Sequence, residues 1–248
     1  MSDPLRSGAD LGTVLGIWAH PDDETYLSSG LMAQAVDAGS RVVCVTATRG
    51  EGGSFDPVRW PPESMAEVRT GELERCLAIL GVKEHIFLDL PDVDWHTPLP
   101  EQGLHAVVDI VRDVQPDAVL TFGPDGMTNH EGHKSVSSWT TDAYAQHAPA
   151  GSALYYAAVS RTWADRFVPL LDSLGMYREG AEPPIIEDGM LDIDIVLEGD
   201  YLERKMEAMV AHTSQMEGLI EVFGKDLLSV AFAPESFRRA AVTPGGAA

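Results

Sequence analysis

The sequence predicts an α/β fold: a doubly wound, mostly parallel sheet with helices on both faces and a C-terminal extension. Two observations predict it. Apolar runs of strand character alternate with stretches whose apolar residues recur at helical spacing, and this βαβα order builds parallel strands through right-handed crossovers. Polar clusters also follow four of the strands at one end, which is where ligands bind in such sheets.

The first strand is expected over 13–19, a run that stops at His20-Pro21 and suits burial on both faces. A helix follows over 27–36, closed by Gly39. The second strand covers 41–47. A Gly- and Pro-rich loop over 48–62 is long enough to be functional. The next helix, 63–80, puts Leu73, Cys76, Leu77 and Leu80 on one face and ends at Gly81. The third strand is 85–90. Leu104, Val107, Val108, Val111 and Val114 form a helical stripe before the fourth strand, 117–122. A helix over 135–146 and a fifth strand over 153–159 complete the core. Beyond 160 the pattern predicts a helix over 163–174, an edge strand over 190–197 and a helix over 201–211. The chain divides by this reading into a core over 11–160, a C-terminal segment over 161–235 that completes the site, and a mobile tail over 236–248, all within one domain.

Of the 248 residues, 44% are hydrophobic and 23% charged, as in globular domains. The net charge of −22 repels phosphate backbones and anionic lipid, so neither nucleic acid nor a membrane surface is expected as a partner. No apolar run reaches the roughly 18–20 residues of a membrane span. The first ten residues are polar and acidic, unlike a signal peptide. Cys44 and Cys76 are too few for a disulfide framework and sit among apolar residues, so they read as buried thiols in a reducing, cytoplasmic compartment.

The chemistry concentrates after the first strand, in His20-Pro21-Asp22-Asp23-Glu24. Chance produces this pentad in roughly a few such chains per ten thousand. Imidazole and carboxylate are zinc's usual non-sulfur ligands, and His20 and Asp23 stand three apart across a turn held by Pro21. The competing reading is a helix N-cap, with the acids on free N–H groups. The second segment, His130-Glu131-Gly132-His133, follows the fourth strand, where it can meet the first. Two His and one Asp leave zinc with open positions for water and substrate.

These residues resemble the PIG-L/LmbE-like zinc deacetylases, which remove N-acetyl groups from GlcNAc conjugates and share a Rossmann-like core. Trp18 to Glu24 matches the family's AHPDDE signature, Thr48 to Gly52 its T-x-G-E/D loop, and Arg69 with Glu72 and Leu80-Gly81-Val82 its R-x-x-E…LGV helix. Leu88 to Asp92 resembles its L-x-x-x-D strand end, and Lys205…His212-x-Ser214-Gln215 its K…H-x-S-Q segment. The resemblance implies that His20, Asp23 and His133 bind Zn²⁺, with Fe²⁺ as the alternative. It implies Asp22 as general base and His130 as donor to the oxyanion or the leaving amine. Glu51, Arg69, Asp92, His212 and Gln215 would then contact a small amino-sugar conjugate. A homo-oligomer is compatible with all of this.

In one place the chain departs from the family, which carries H-x-D-H where this chain has Gly132. The missing Asp would orient the first His, so another carboxylate is expected to take over: Asp125 first, then Glu131. Two rivals stay open, an amidase acting on a larger amide and a catalytically silent metal-binding relative in a biosynthetic cluster. A nucleotide-binding protein is disfavoured, since carboxylates occupy the position where a Gly-rich phosphate loop would lie.

Overall fold

The computed structural model describes residues 5–173, 177 and 181–245. Five parallel strands carry the core: β1 (Val14–Trp18), β2 (Val42–Thr48), β3 (Glu84–Leu90), β4 (Ala118–Thr121) and β5 (Ala153–Ser160). They are connected by α1 (Asp23–Asp37), α2 (Pro62–Leu80), α3 (Gln102–Val114), the short α4 (Gly126–Asn129) and α5 (Glu131–His147). Then come α6 (Arg161–Ser173), β6 (Ile185–Ile186), β7 (Ile193–Val196), α7 (Gly199–Ala211), α8 (Thr213–Phe232) and β8 (Pro234–Arg239). The strand order is β3-β2-β1-β4-β5-β8-β7, with β6 beside β5. This is the expected fold class.

Local chemistry explains the core elements. All residues of β1 and β2 are buried, which is why their sequences run apolar without alternation. Helix α2 begins with Pro62 in its first turn and ends where Gly81 takes a left-handed conformation, φ 80°. Helix α1 starts four residues earlier than its apolar pattern predicts, because Asp23 and Glu24 occupy its first turn, where carboxylates favour the helix dipole. The same holds for α5, which starts at Glu131 rather than 135.

The C-terminal third differs from expectation in two places. Residues 213–232 form α8, and residues 236–239, expected to open a mobile tail, lie inside β8. That strand runs antiparallel to both β5 and β7. Its Glu235 is fully buried with Lys205, Nζ to Oε1 2.7 Å, and also accepts the Gly30 and Leu31 N–H groups of α1. Residues 1–4, 174 and 246–248 of the expected start, helix end and tail lie outside the described residues. Among the described residues, no helix is long and apolar enough to cross a membrane.

The strand order places β1 and β4 side by side, with the crossovers from them leading to opposite halves of the sheet. A crevice opens at their carboxyl ends at such a switch point. The buried pair at Lys205 makes a test of the C-terminal layer. Removing one partner of a buried ion pair typically costs about 3–5 kcal/mol, because the other charge stays uncompensated. Lys205→Met is expected to lower stability by that amount in urea unfolding, and a loss under about 1 kcal/mol would show that the pair does not hold β8 to α7.

Candidate metal centre

The chain leaves β1 through Ala19 and His20 into a sharp turn. Asp22 adopts φ 121°, ψ −29°, a conformation that a residue with a side chain rarely takes. The turn is held from two sides. The Asp22 N–H donates to Glu24 Oε2, 3.1 Å. Arg69 Nη2 donates to the Pro21 carbonyl and to Asp22 Oδ2, the latter at 3.0 Å. Asp23 then opens α1 with its carboxylate folded back, Oδ2 accepting the N–H groups of Ala19 (3.2 Å) and His20 (2.8 Å).

His133, in the first turn of α5, meets this turn across the crevice. Its Nε2 lies 3.2 Å from His20 Nδ1 and 3.4 Å from Asp23 Oδ1, and His20 Nδ1 lies 3.5 Å from Asp23 Oδ2. All three side chains are buried. Of the second ring nitrogens, that of His133 is hydrogen-bonded and that of His20 is not. His133 Nδ1 donates to the Gly126 carbonyl at 2.9 Å, and His20 Nε2 faces Asp92 Oδ1 at 3.6 Å. These contacts turn His133 Nε2 and His20 Nδ1 toward each other and toward the Asp23 carboxylate, Oδ1 on the His133 side and Oδ2 on the His20 side. Phe122 stacks on the His133 ring, centroids 4.0 Å apart and planes within 7°, and fixes its orientation.

The charges follow from burial and these neighbours. Burial pushes the Asp23 carboxyl up, but His133 and His20 outweigh it and hold the group well below the usual carboxylate range. Burial lowers the His20 pKa, while Asp23 and Asp92 raise it to a net value of about 9. His133 is lowered to about 4, chiefly by burial. Asp22 is raised to about 7, chiefly by burial, with Arg69 pulling the other way.

His130 packs between the rings of His20 (4.6 Å) and Trp95 (4.5 Å) and stacks on His133. Burial, reinforced by His133 and His20, pushes its pKa far down, so the ring is neutral. Its Nδ1 accepts the Gly132 N–H at 3.0 Å, which leaves the ring proton on Nε2. Neither expected carboxylate reaches it. Asp125 instead accepts the Met127 N–H, and Glu131 pairs with Lys134 at 2.8 Å. A Cβ at Gly132 would sit 3.2 Å from the His130 Cε1 and Nδ1 atoms. The small residue lets the backbone N–H itself take over the fixing of the tautomer.

The remaining expected residues divide between the cleft and its supports. Asp92 and Gln215 line a cleft of 540 Å³ together with Asp22, Arg69, His130 and Trp95. Asp92 is also tied from behind, Oδ2 accepting the Gly52 N–H and its own N–H donating to Glu51 Oε1. Glu51 thus holds Asp92. Arg69 is buried, with further donation to the Gly50 carbonyl, so it braces the turn as well as lining the cleft. His212 does not line the cleft. It lies 1% exposed behind the turn, with Nε2 3.2 Å from Glu24 Oε1. Glu24 and Glu72 carry structural roles that the motifs left unassigned. Glu72 accepts both the N–H and the hydroxyl of Ser214, 2.7 Å each, pinning the segment that bears Gln215.

Among the described residues, two groups bring three potential ligand atoms within 4.8 Å of one another: His20, His130 and His133, and Glu24, Cys76 and His212. In the second, the Thr25 and Cys76 donors and His212 already serve Glu24. In the first, His130 Nδ1 is occupied, whereas His20 and His133 each present a nitrogen toward Asp23.

A doubly wound α/β sheet with a buried His/carboxylate cluster at its switch point defines a class, the Rossmann-like proteins that carry a candidate metal site beyond their strand ends. Within it, residues 15–144 match the family model described as PIG-L, GlcNAc-PI de-N-acetylase, and the chain belongs to that family. It is 30% identical over 247 residues to a 1D-myo-inositol 2-acetamido-2-deoxy-alpha-D-glucopyranoside deacetylase of Kineococcus radiotolerans, covering 82% of this chain and 68% of that one. Two solved structures share the fold. The N,N'-diacetylchitobiose deacetylase of Pyrococcus horikoshii has TM-score 0.63 at 22% identity, covering 95% of this chain and 85% of that one. The A40926 pseudoaglycone deacetylase has TM-score 0.64 at 20% identity, covering 94% and 99%.

The His130 contacts make a direct prediction. Nitrogen NMR at neutral pH is expected to show His130 neutral with its proton on Nε2, unchanged in Asp125→Asn and in Glu131→Gln. A shift of the ring toward the charged form in the wild type, lost in either variant, would show that a carboxylate does reach it.

Proposed function

We propose that this chain is a divalent-metal hydrolase that removes an N-acetyl group from a GlcNAc-type sugar conjugate, with Zn²⁺ as the metal and His20, Asp23 and His133 as its ligands. The approach of these three side chains carries the reading. Ligands about 2.1 Å from a tetrahedral zinc stand about 3.4 Å apart. His133 Nε2 lies 3.2 Å from His20 Nδ1 and 3.4 Å from Asp23 Oδ1, and His20 Nδ1 lies 3.5 Å from the other carboxylate oxygen, Asp23 Oδ2. The outer contacts agree, since metal-bound His residues normally donate their other N–H to a carboxylate or carbonyl, as Asp92 and Gly126 allow here.

When bound, such a metal lowers the pKa of a water toward about 7 and polarises an amide carbonyl. The chain's own residues supply the rest. Asp22 lines the cleft beside the ligands, and its carboxylate is placed to accept the water's proton. Arg69 fixes which oxygen is free to do so, because Oδ2 is already bonded to it. His130 offers a fixed Nε2–H to the carbonyl oxygen as it gains charge, a preorganised donor that needs no reorientation. Asp92, Trp95 and Gln215 form the wall that receives the sugar. The deacetylase activity of the Kineococcus radiotolerans relative supports the same reaction class. A silent metal binder would need neither Asp22 nor His130 in place.

Elemental analysis of the purified protein is expected to find one tightly held divalent metal per chain, and His133→Ala to lose it. Wild-type protein without metal, or a His133→Ala variant that keeps it, would defeat the ligand assignment. A screen of N-acetylglucosamine conjugates with the zinc-loaded protein should release amine. Asp22→Asn is expected to keep the metal and lose about 10²–10⁴ in rate, the usual contribution of an acid–base group. Loss of metal in that variant would make Asp22 a ligand instead.

A further inference from the structure

The metal centre opens on two spaces. Besides the polar cleft there is a second chamber of 140 Å³, walled largely by carbon: Phe122 and Met127 on one side, Ala158 and Trp163 on another, Ala231 and Phe232 on a third. Asp23, Tyr26, Thr128 and His133 line both spaces, so the chamber adjoins the cleft at two of the three residues assigned above as metal ligands. Three of the polar groups at the chamber wall are already satisfied, while the buried Thr128 hydroxyl, at the border with the cleft, has no partner. The Tyr26 hydroxyl donates to Met216 Sδ at 3.0 Å, Trp163 Nε1 donates to the Ala231 carbonyl at 2.7 Å, and Glu235 is neutralised by Lys205. Away from Asp23, Thr128 and His133 the lining is mostly apolar, and an apolar cavity of about 150 Å³ is known to take a benzene ring.

An amide hydrolase divides its substrate at the reacting carbon. The amine half leaves on one side and the acyl half on the other. Here one side is polar and large, and the other is apolar and the size of a six-carbon group. We propose that the apolar chamber is an acyl subsite and that this chain hydrolyses N-acyl amides with acyl groups longer than acetyl, up to about six carbons or a phenyl ring. This rests on the amide-hydrolase reading above and extends it to the acyl side. In the step itself water adds its oxygen to the carbonyl carbon, the C–N bond breaks with its electron pair going to nitrogen, and the protons pass to that nitrogen. The products are a free amine on the cleft side and a carboxylic acid RCOOH in the chamber. A methyl group would leave most of the chamber unfilled.

Burial of each methylene is worth about a fourfold gain. With zinc-loaded protein and a series of N-acetyl, N-butanoyl, N-hexanoyl and N-benzoyl glucosamines, kcat/KM is expected to rise by about that factor per methylene up to six carbons. A series that is flat or falls from acetyl overturns the proposal while leaving the deacetylase reading intact. Ala231→Phe and, from the opposite wall, Ala158→Leu should each lower the hexanoyl-to-acetyl ratio at least tenfold, with thermal melting confirming the fold of each. Unchanged ratios in a folded variant count against the chamber. Calorimetric binding of hexanoate and acetate reads the chamber without turnover. Hexanoate is expected to bind more than tenfold tighter, and equal affinities overturn the proposal. Tighter hexanoate binding with no turnover of any glucosamine would sink the sugar reading and keep the acyl subsite.

Discussion

The molecule is organised around the turn between β1 and α1. Two residues in succession must do different things there. Asp23 folds back into the metal centre, while Asp22 faces the cleft, and only the unusual backbone of Asp22 separates them so sharply. Such a conformation costs of order 1–3 kcal/mol and persists only where the surroundings over-determine it. Glu24 holds it through the Asp22 N–H, and Arg69 holds it through the Pro21 carbonyl and the Asp22 carboxylate.

The supports have supports of their own, and these explain why a site on the first strand needs the C-terminal segment. Glu24 is gripped by Thr25, Cys76 and His212, the last of these arriving from between α7 and α8. Ser214 is anchored on Glu72 of α2, one turn beyond Arg69 on the same helix. The RxxE spacing of α2 therefore serves two jobs on one face: Arg69 braces the turn and Glu72 braces the segment that closes over it. His212 is a support for a support, which is a different role from the substrate contact its motif implied.

The parallel core, the switch point and the meeting of His20, Asp23 and His133 were legible because they depend on local pattern and strand order. What the sequence did not show depends on the third dimension. Pro234-Glu-Ser-Phe-Arg-Arg has no alternation and carries charge, yet it is an interior strand, because Glu235 finds Lys205 from α7 and two backbone N–H groups of α1. Helix α8 was hidden by its kink at Gly224, φ 71°. The substitute for the family Asp was sought among side chains, whereas the group that does the work is the N–H of Gly132 itself. A backbone donor leaves no trace in composition. Nor does an apolar chamber drawn from α4, β5, α6 and α8 with Phe122 just past β4, whose residues read individually as ordinary core.

The placement of β8 has a bearing on how the molecule is made. It fills the gap between β5 and β7, and its Glu235 buttresses the very helix that begins at Asp23. Pairing between β5 and β8 joins residues about eighty positions apart, the kind of distant closure that comes slowly. During synthesis the residues of β1 to β5, and with them His20, Asp23 and His133, leave the ribosome before β8 does. The nascent chain cannot lock their geometry until residues 234–239 have emerged. An unfinished polypeptide is thereby kept from working as a hydrolase, and competence arrives in one late step rather than by degrees.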